Sequence, residues 1–121
     1  MTARSETITN FGANVSFTPR SVYRPKSELE VLDILRAHKQ QQIRVVGSLH
    51  AWSPLVESTE VIISLENLKS VEVAEREGQC VAVVGAGCQI KRMLAELRKS
   101  GWTSPALGLI TEQTIAGAMA T

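Results

Sequence analysis

The sequence predicts an α+β fold: a parallel strand, helix, strand unit followed by an antiparallel strand pair and a second helix. Three observations carry this reading. A capped helical stretch near 27–38 precedes two short β-branched runs, 43–46 and 61–65; a Glu77-Gly78 turn joins two alternating segments; and a second amphipathic stretch ends at Gly101.

In order along the chain, residues 1–18 are mixed and polar, with Phe11, Val15 and Phe17 as anchors and Gly12 and Asn14 as turn formers. Pro19 and Pro25 bracket an extended piece, because the residue before a proline is pushed towards β or polyproline geometry. Ser27 and Glu30 have the S-x-x-E spacing of a capping box. Leu29, Val31, Leu32, Ile34 and Leu35 then supply an apolar face through about His38, a residue expected in solvent in the last turn. Ile43 to Val46 is a β-branched strand, and its order after the helix suggests a right-handed parallel crossover. Residues 47–60 form a loop, and Val61 to Leu65 a second apolar strand. Val71 and Val73 alternate with Glu72, so this strand has one wet face, and it turns at Glu77-Gly78 into Cys80 to Val84. Gln89 to Ser100 is a helix with Ile90, Met93, Leu94 and Leu97 on one side and Gly101 as its left-handed cap; Trp102 packs over that end.

A chain of 121 residues, 44% hydrophobic and 21% charged, is enough for one globular domain. At this size roughly two-thirds of the unfolded surface is hidden on folding, so neither disulfides nor metals are required. Cys80 and Cys88 match no zinc spacing and read as free thiols of a reducing compartment, hence a cytoplasmic protein. Thirteen basic against twelve acidic residues, scattered along the chain, argue against a nucleic-acid partner. No apolar run is long enough to span a bilayer.

Two glycine loops invite a functional reading. Gly85-Ala86-Gly87 runs from strand to helix, but Ile90 stands where a nicotinamide-dinucleotide fingerprint needs its third glycine, and no acidic residue closes a following strand about twenty positions on. A structural turn is the better account. The other loop, Val46-Gly47-Ser48-Leu49-His50, ends a strand in a glycine and then presents an imidazole. Gly47 allows a positive φ or close approach to a phosphate, and the N–H groups of Ser48, Leu49 and His50 can converge on an anion. An ordinary turn with a surface histidine and a packed Trp52 accounts for these residues equally well. The stretch 108–121, small and hydroxyl-rich, allows close approach to a flat ligand; alone it reads equally as a packed helix start capped by Thr114.

Taken together, these segments carry a resemblance. The order Pro-x-Ser-x-x-Glu helix, Val-Val-Gly-Ser-x-His-x-Trp-Ser, Ile-Ile-Ser-Leu, Gly-Ala-Gly, helix ending Ser-Gly-Trp, and Gln-Thr-Ile-Ala-Gly-Ala-x-Ala-Thr resembles the PCMH-type FAD-binding domain of the vanillyl-alcohol oxidase / p-cresol methylhydroxylase family. It is most similar there to the sugar-1,4-lactone (gulonolactone and arabinonolactone) and alditol oxidases. The resemblance runs from about Asn10 to Thr121. It implies an N-terminal βαβ subdomain with the start of a second mixed-sheet subdomain, divided as an N-terminal segment 1–18 and an FAD-binding domain 19–121. That domain is expected to be truncated before a Gly-Thr-His-Gly run, with the substrate domain absent.

The resemblance also implies roles. Val46, Gly47, Ser48, Leu49 and His50 wrap the FAD pyrophosphate, Ala51 and Trp52 continue that wall, and Ile110, Thr114, Gly117 and Thr121 line the cofactor from the other side. His50 is expected to bond covalently to the flavin 8α carbon, an electron-withdrawing link that raises the flavin's potential. The intact enzyme would oxidise a CH–OH group of a sugar lactone or polyol with oxygen. The alternatives are a flavin dehydrogenase of a 2-hydroxy acid or other alcohol, and a non-catalytic flavin-binding remnant. No residue of this chain matches the family's proton-abstracting group, so no catalytic residue is assigned, and this chain alone is expected to be inactive.

Overall fold

The computed structural model describes residues 3–106 and 108–120. Among these residues three small sheets, three α-helices and one 3-10 turn, Pro54–Val56, follow one another. β1 (Ile8–Thr9) and β2 (Ser16–Phe17) make an antiparallel hairpin. β3 (Ser21–Tyr23), β4 (Ile43–Val46) and β5 (Val61–Ser64) form a parallel sheet in the order β3-β5-β4. The parallel crossover expected from the sequence is present, with β5 inserted between the strands that flank α1 (Glu28–Ala37).

β5 explains how the core is divided. All four of its residues are buried, as a central parallel strand covered on both faces requires. Val61 and Ile63 point to the face where Ile34 of α1 packs, with Tyr23, Ile43 and Leu65 beside them. Ile62 points to the opposite face, where Ile8, Val15 and Phe17 of the hairpin meet Val22 and Val46. Period two along one strand thus fixes two cores.

α1 begins as the spacing predicts but closes differently. Ser27 Oγ accepts from the Glu30 N–H at 3.2 Å, while the Glu30 carboxylate accepts from Lys26 N–H at 2.6 Å, one residue earlier than a reciprocal box requires. Its expected apolar face is buried only at Ile34. Leu29, Leu32 and Leu35 stay 63%, 46% and 41% exposed, because the sheet takes the Ile34 side of the helix and leaves the leucine side uncovered. His38 also departs from expectation. Its Nδ1 donates to Gln41 Oε1, and its Nε2 accepts from the Tyr23 hydroxyl at 2.8 Å, so the ring is anchored rather than freely solvated.

The second half is a hairpin and a helix. β6 (Val71–Arg76) pairs with β7 (Gln79–Val84) through Glu77 and Gly78, both at positive φ, the mirror-type turn that matches strand twist. α2 (Ile90–Lys99) lays Ile90, Met93 and Leu97 against Val71 and Val84. Gly101 takes φ 77° and ends the helix. Trp102 N–H bonds to the Leu97 carbonyl at 3.0 Å, but its ring is half exposed and lines a shallow cavity with Val73 and Cys80 of the hairpin. The short α3 (Ile115–Ala120) packs Ile115 and Ala118 on the α2 core. Cys80 is exposed and Cys88 buried, both as free thiols. Among the described residues no helix is long and apolar enough to cross a membrane, and no cluster of His, Cys, Asp and Glu could hold a metal.

Candidate functional site

The site is built where the ends of β4 and β5, the turn after β7 and the residues leading into α3 converge. Gly47 follows β4, and a β-carbon there would sit 2.5 Å from Thr114 Oγ1, so the two chain segments touch only because residue 47 has no side chain. Its φ is not positive; the left-handed residue of the loop is Leu49, at φ 59°. Of the two uses the sequence allowed for the glycine, the positive φ is not taken up at Gly47 and falls two residues later, at Leu49. Leu49 tolerates the strained angle because its side chain packs on the Ile8 and Phe17 core and its carbonyl accepts the Phe11 N–H at 2.8 Å.

The stretch before α3 is not a free loop. Ile90 N–H bonds to Gln113 O and Lys91 N–H to Thr111 O, each at 2.9 Å, while Ile115 N–H returns to Cys88 O at 2.8 Å. The first N–H groups of α2 are therefore satisfied by 111–113. Ser48 Oγ donates to the Glu112 carbonyl at 2.5 Å, and Gln89 Nε2 donates to the same carbonyl at 2.9 Å and to Ser48 Oγ at 3.3 Å. Thr114 Oγ1 accepts from the Gly117 N–H at 3.3 Å, so the capping role that the residues alone suggested is real.

Two adjoining cavities share Gly47, Gly87 and Thr114 in their walls. One, of about 230 Å³, is formed by small and apolar groups including Val46, Leu65, Ala116 and Gly117. The other, of about 450 Å³, is lined by Ser48, Gln89, Glu66, Lys69 and Arg92. Gly85 and Gly87 are structural, as expected: added β-carbons would meet the Leu68 and Leu65 carbonyl oxygens at 2.3 and 1.7 Å. Gly87 nonetheless forms part of both walls.

Of the residues singled out in the sequence, Val46, Gly47, Ser48, Thr114 and Gly117 come together here. Leu49, His50, Ala51, Trp52 and Ile110 line neither cavity, and Thr121 lies outside the described residues. Leu49 is drawn inward by the core. Ile110 is exposed ahead of the segment that α2 pins. Ala51 and Trp52 are held on the N-terminal hairpin turn instead: Asn10 Nδ2 donates to Ala51 O and Asn14 Nδ2 to Trp52 O, each at 2.9 Å, and Gly12 has room for no side chain beside the Trp52 ring.

His50 stacks on Phe11 with ring centroids 4.6 Å apart and planes 8° from parallel. Among the described residues neither of its ring nitrogens has a hydrogen-bond partner, nor do the main-chain N–H groups of Ser48, Leu49 and His50 donate to any protein acceptor. Sequence reasoning missed Asn10, Phe11 and Asn14 as supports of this loop, and Gln89, Lys69 and Arg92 as cavity residues. An Asn-x-x-x-Asn turn was the visible signal for the first group. The second had none, since an isolated Lys or Arg reads as solvated surface.

A family model described as FAD binding domain matches residues 19–121. The chain belongs to that family. Its relatives include a long-chain alcohol oxidase from an uncultured marine euryarchaeote, 51% identical over 93% of this chain and 23% of that protein. A D-arabinono-1,4-lactone oxidase from Eremothecium gossypii is 33% identical over 98% of this chain and 23% of its own length. Among solved structures, a cholesterol oxidase from B. sterolicum superposes with a TM-score of 0.86 at 23% identity, covering 98% of this chain and 24% of that one, which establishes the fold. The chain spans under a quarter of the length of each of these proteins.

The geometry of this FAD binding domain fits its cofactor. Gly47 and Gly87 stand in the walls of both cavities, the adjoining Ser48 N–H donates to no acceptor among the described residues, and Lys69 and Arg92 line the wider cavity. Those are the groups a diphosphate needs, while the narrow small-residue end suits a planar ring.

Proposed function

We propose that this chain is the cofactor-holding part of an FAD-dependent oxidoreductase that oxidises a CH–OH group of a lactone or an alcohol with oxygen as acceptor. The observation that carries the reading is the contact of Gly47 with Thr114, which makes one cleft from two segments 67 residues apart. Val46, Gly47, Ser48, Thr114 and Gly117 would hold the cofactor. FAD bound there supplies a two-electron acceptor for hydride, and the protein supplies position and electrostatics.

His50 is the proposed point of covalent attachment to the flavin 8α carbon. Its half-buried ring is oriented by Phe11 and keeps both nitrogens unengaged, which is what a neutral imidazole nucleophile requires. The sugar lactone reading is supported by the lactone oxidase relative, and the 51% identical long-chain alcohol oxidase favours an aliphatic alcohol as a second reading. Two free thiols support a reducing, cytoplasmic setting.

The test is an absorption spectrum of the chain purified after expression with excess FAD, taken before and after acid precipitation. Yellow colour in the wild-type pellet, absent from a His50→Ala pellet, supports both cofactor and linkage. A colourless, folded wild-type chain would refute the reading. Oxygen uptake by a polypeptide of the relatives' length that includes this chain, offered lactones, polyols, 2-hydroxy acids and long-chain alcohols, separates the substrate classes and the dehydrogenase alternative.

A further inference from the structure

We propose that Lys69 and Arg92 form a cation pair that grips the diphosphate of the bound dinucleotide, so that the site selects FAD over riboflavin by side-chain charge as well as by main-chain shape. This rests on the FAD reading above and adds two residues to it. Both residues line the wider cavity, together with Gly47 and Ser48.

The Arg92 side chain is tied to the main chain of Lys69. Arg92 Nε donates to the Lys69 carbonyl at 3.1 Å, which ties the guanidinium to the turn after β5; among the described residues its two terminal nitrogens have no hydrogen-bond partner. That turn is itself held by Gly85 and Gly87, whose N–H groups bond to Ser70 O and Leu68 O at 2.8 and 3.0 Å. Neither Lys69 nor Arg92 makes an ion pair with a described carboxylate. Glu66, the acid in the same wall, is already engaged: Arg24 Nε lies 3.2 Å from its Oε1, and Ser64 Oγ donates to its Oε2 at 3.0 Å.

The cavity wall thus carries two cations that make no salt bridge with a described carboxylate; Glu96, on the next turn of α2, is an acid whose charge interacts with that of Arg92. A diphosphate brings two negative charges and several acceptor oxygens, which suit a planar guanidinium fork and a compact ammonium. Riboflavin has no phosphate and would gain nothing from either residue. FMN has one phosphate and should gain part of the effect.

The experiment is a calorimetric titration of the 121-residue chain with FAD, riboflavin and inorganic pyrophosphate at low and high salt. It is repeated with Lys69→Gln, Arg92→Gln, the double variant, Lys69→Arg and Arg92→Lys, all shown folded by circular dichroism. Lys91→Gln, a charge change beside the site but outside its walls, is the control. Each Gln variant should weaken FAD about tenfold, less so at high salt, with riboflavin affinity unchanged and partial recovery in the Arg and Lys replacements. FAD affinity unchanged in the double variant, or FAD and riboflavin weakened equally, would overturn the proposal while leaving the FAD reading standing. Pyrophosphate bound through Lys69 and Arg92 by a chain that takes no FAD would instead overturn that reading and keep the anion site. Binding of neither ligand would overturn both.

Discussion

Gly47 and Thr114 are in contact through the space a side chain would fill: a β-carbon on Gly47 would lie 2.5 Å from Thr114 Oγ1 and 3.3 Å from its Cγ2. Gly47→Ala must push the start of α3 outward, and overpacking of this kind costs about 1–3 kcal/mol. The hydroxyl is the nearest obstacle, so the penalty should shrink when Thr114→Ala is present. Thr114→Ala alone loses the bond to Gly117 N–H, a cap worth about 1 kcal/mol. Urea unfolding of the four proteins of this cycle measures the coupling; additive losses would mean that the segments do not touch.

Gly87 faces an obstacle that cannot rotate away. Its β-carbon would sit 1.7 Å from the Leu65 carbonyl oxygen, whereas one on Gly108 would meet nothing within 4 Å. Gly87→Ala should therefore destabilise by about 3 kcal/mol or more, through displaced main chain. Gly108→Ala should be neutral or stabilise by about 0.5 kcal/mol by restricting the unfolded chain. Chemical denaturation midpoints compare the two directly.

Much of this architecture was legible because it rests on local rules. The three apolar residues of β5, the Glu77-Gly78 turn and the Gly101 cap each follow from side-chain period or backbone sterics. The site was legible in its main-chain parts and not in its side chains. Gly47 was identified with two alternatives, a positive φ or a close approach, and the positive φ belongs to Leu49, since a sequence shows that a glycine is needed and not whether the obstacle is its own dihedral or a hydroxyl 67 residues away. Lys69 and Arg92 meet only because Gly85 and Gly87 let the turn after β5 close on the end of β7, a tertiary fact with no local trace. The leucines of α1 show the reverse limit. Helical spacing marks Leu29, Leu32 and Leu35 as one face, yet does not say whether anything covers it.

Glu77 occupies φ 52° at the first turn position of the β6–β7 hairpin, where side chains other than Asn, Asp and Gly are strained. Glu77→Asn should stabilise by about 0.5–1 kcal/mol, and Gly78→Ala, at φ 76°, should cost about 1 kcal/mol. Thermal melting distinguishes these opposite signs, and a Glu77→Asn melt lower than wild type would contradict the turn geometry.

Burial pushes the Cys88 thiol above the ordinary range, against the pull of nearby Arg92. The folded state therefore holds its proton more tightly than the unfolded state. The associated stability is fully present below the unfolded thiol value, about 8.5, and is lost as pH rises through the folded one. Wild type should lose stability between pH 8 and pH 10 by more than Cys88→Ala does. Iodoacetamide at pH 8 should label exposed Cys80 at least about tenfold faster than Cys88, the difference vanishing in urea. Peptide mass analysis of the labelled chain reads both rates.

Phe11 is 69% exposed, so its ring contributes little to the core; its partner is His50, stacked 4.6 Å away and held there by the Phe11 N–H bond to Leu49 O. A face-to-face pair at an exposed site is worth about 0.5–1.5 kcal/mol, which is enough to restrict one imidazole rotamer but not to decide folding. Phe11→Ala should leave the unfolding midpoint within about 1 kcal/mol of wild type, since an exposed ring surrenders little apolar area. It should nevertheless slow the proposed flavin attachment roughly three- to tenfold, the kinetic equivalent of that stacking energy. Flavin retained in acid pellets after timed incubation with FAD gives the rate, and Phe11→Tyr, which keeps the stack, should restore it. Equal attachment rates in wild type and Phe11→Ala would show that the ring of His50 is oriented by the main chain alone, and would assign the hairpin turn a purely structural part in shaping the loop.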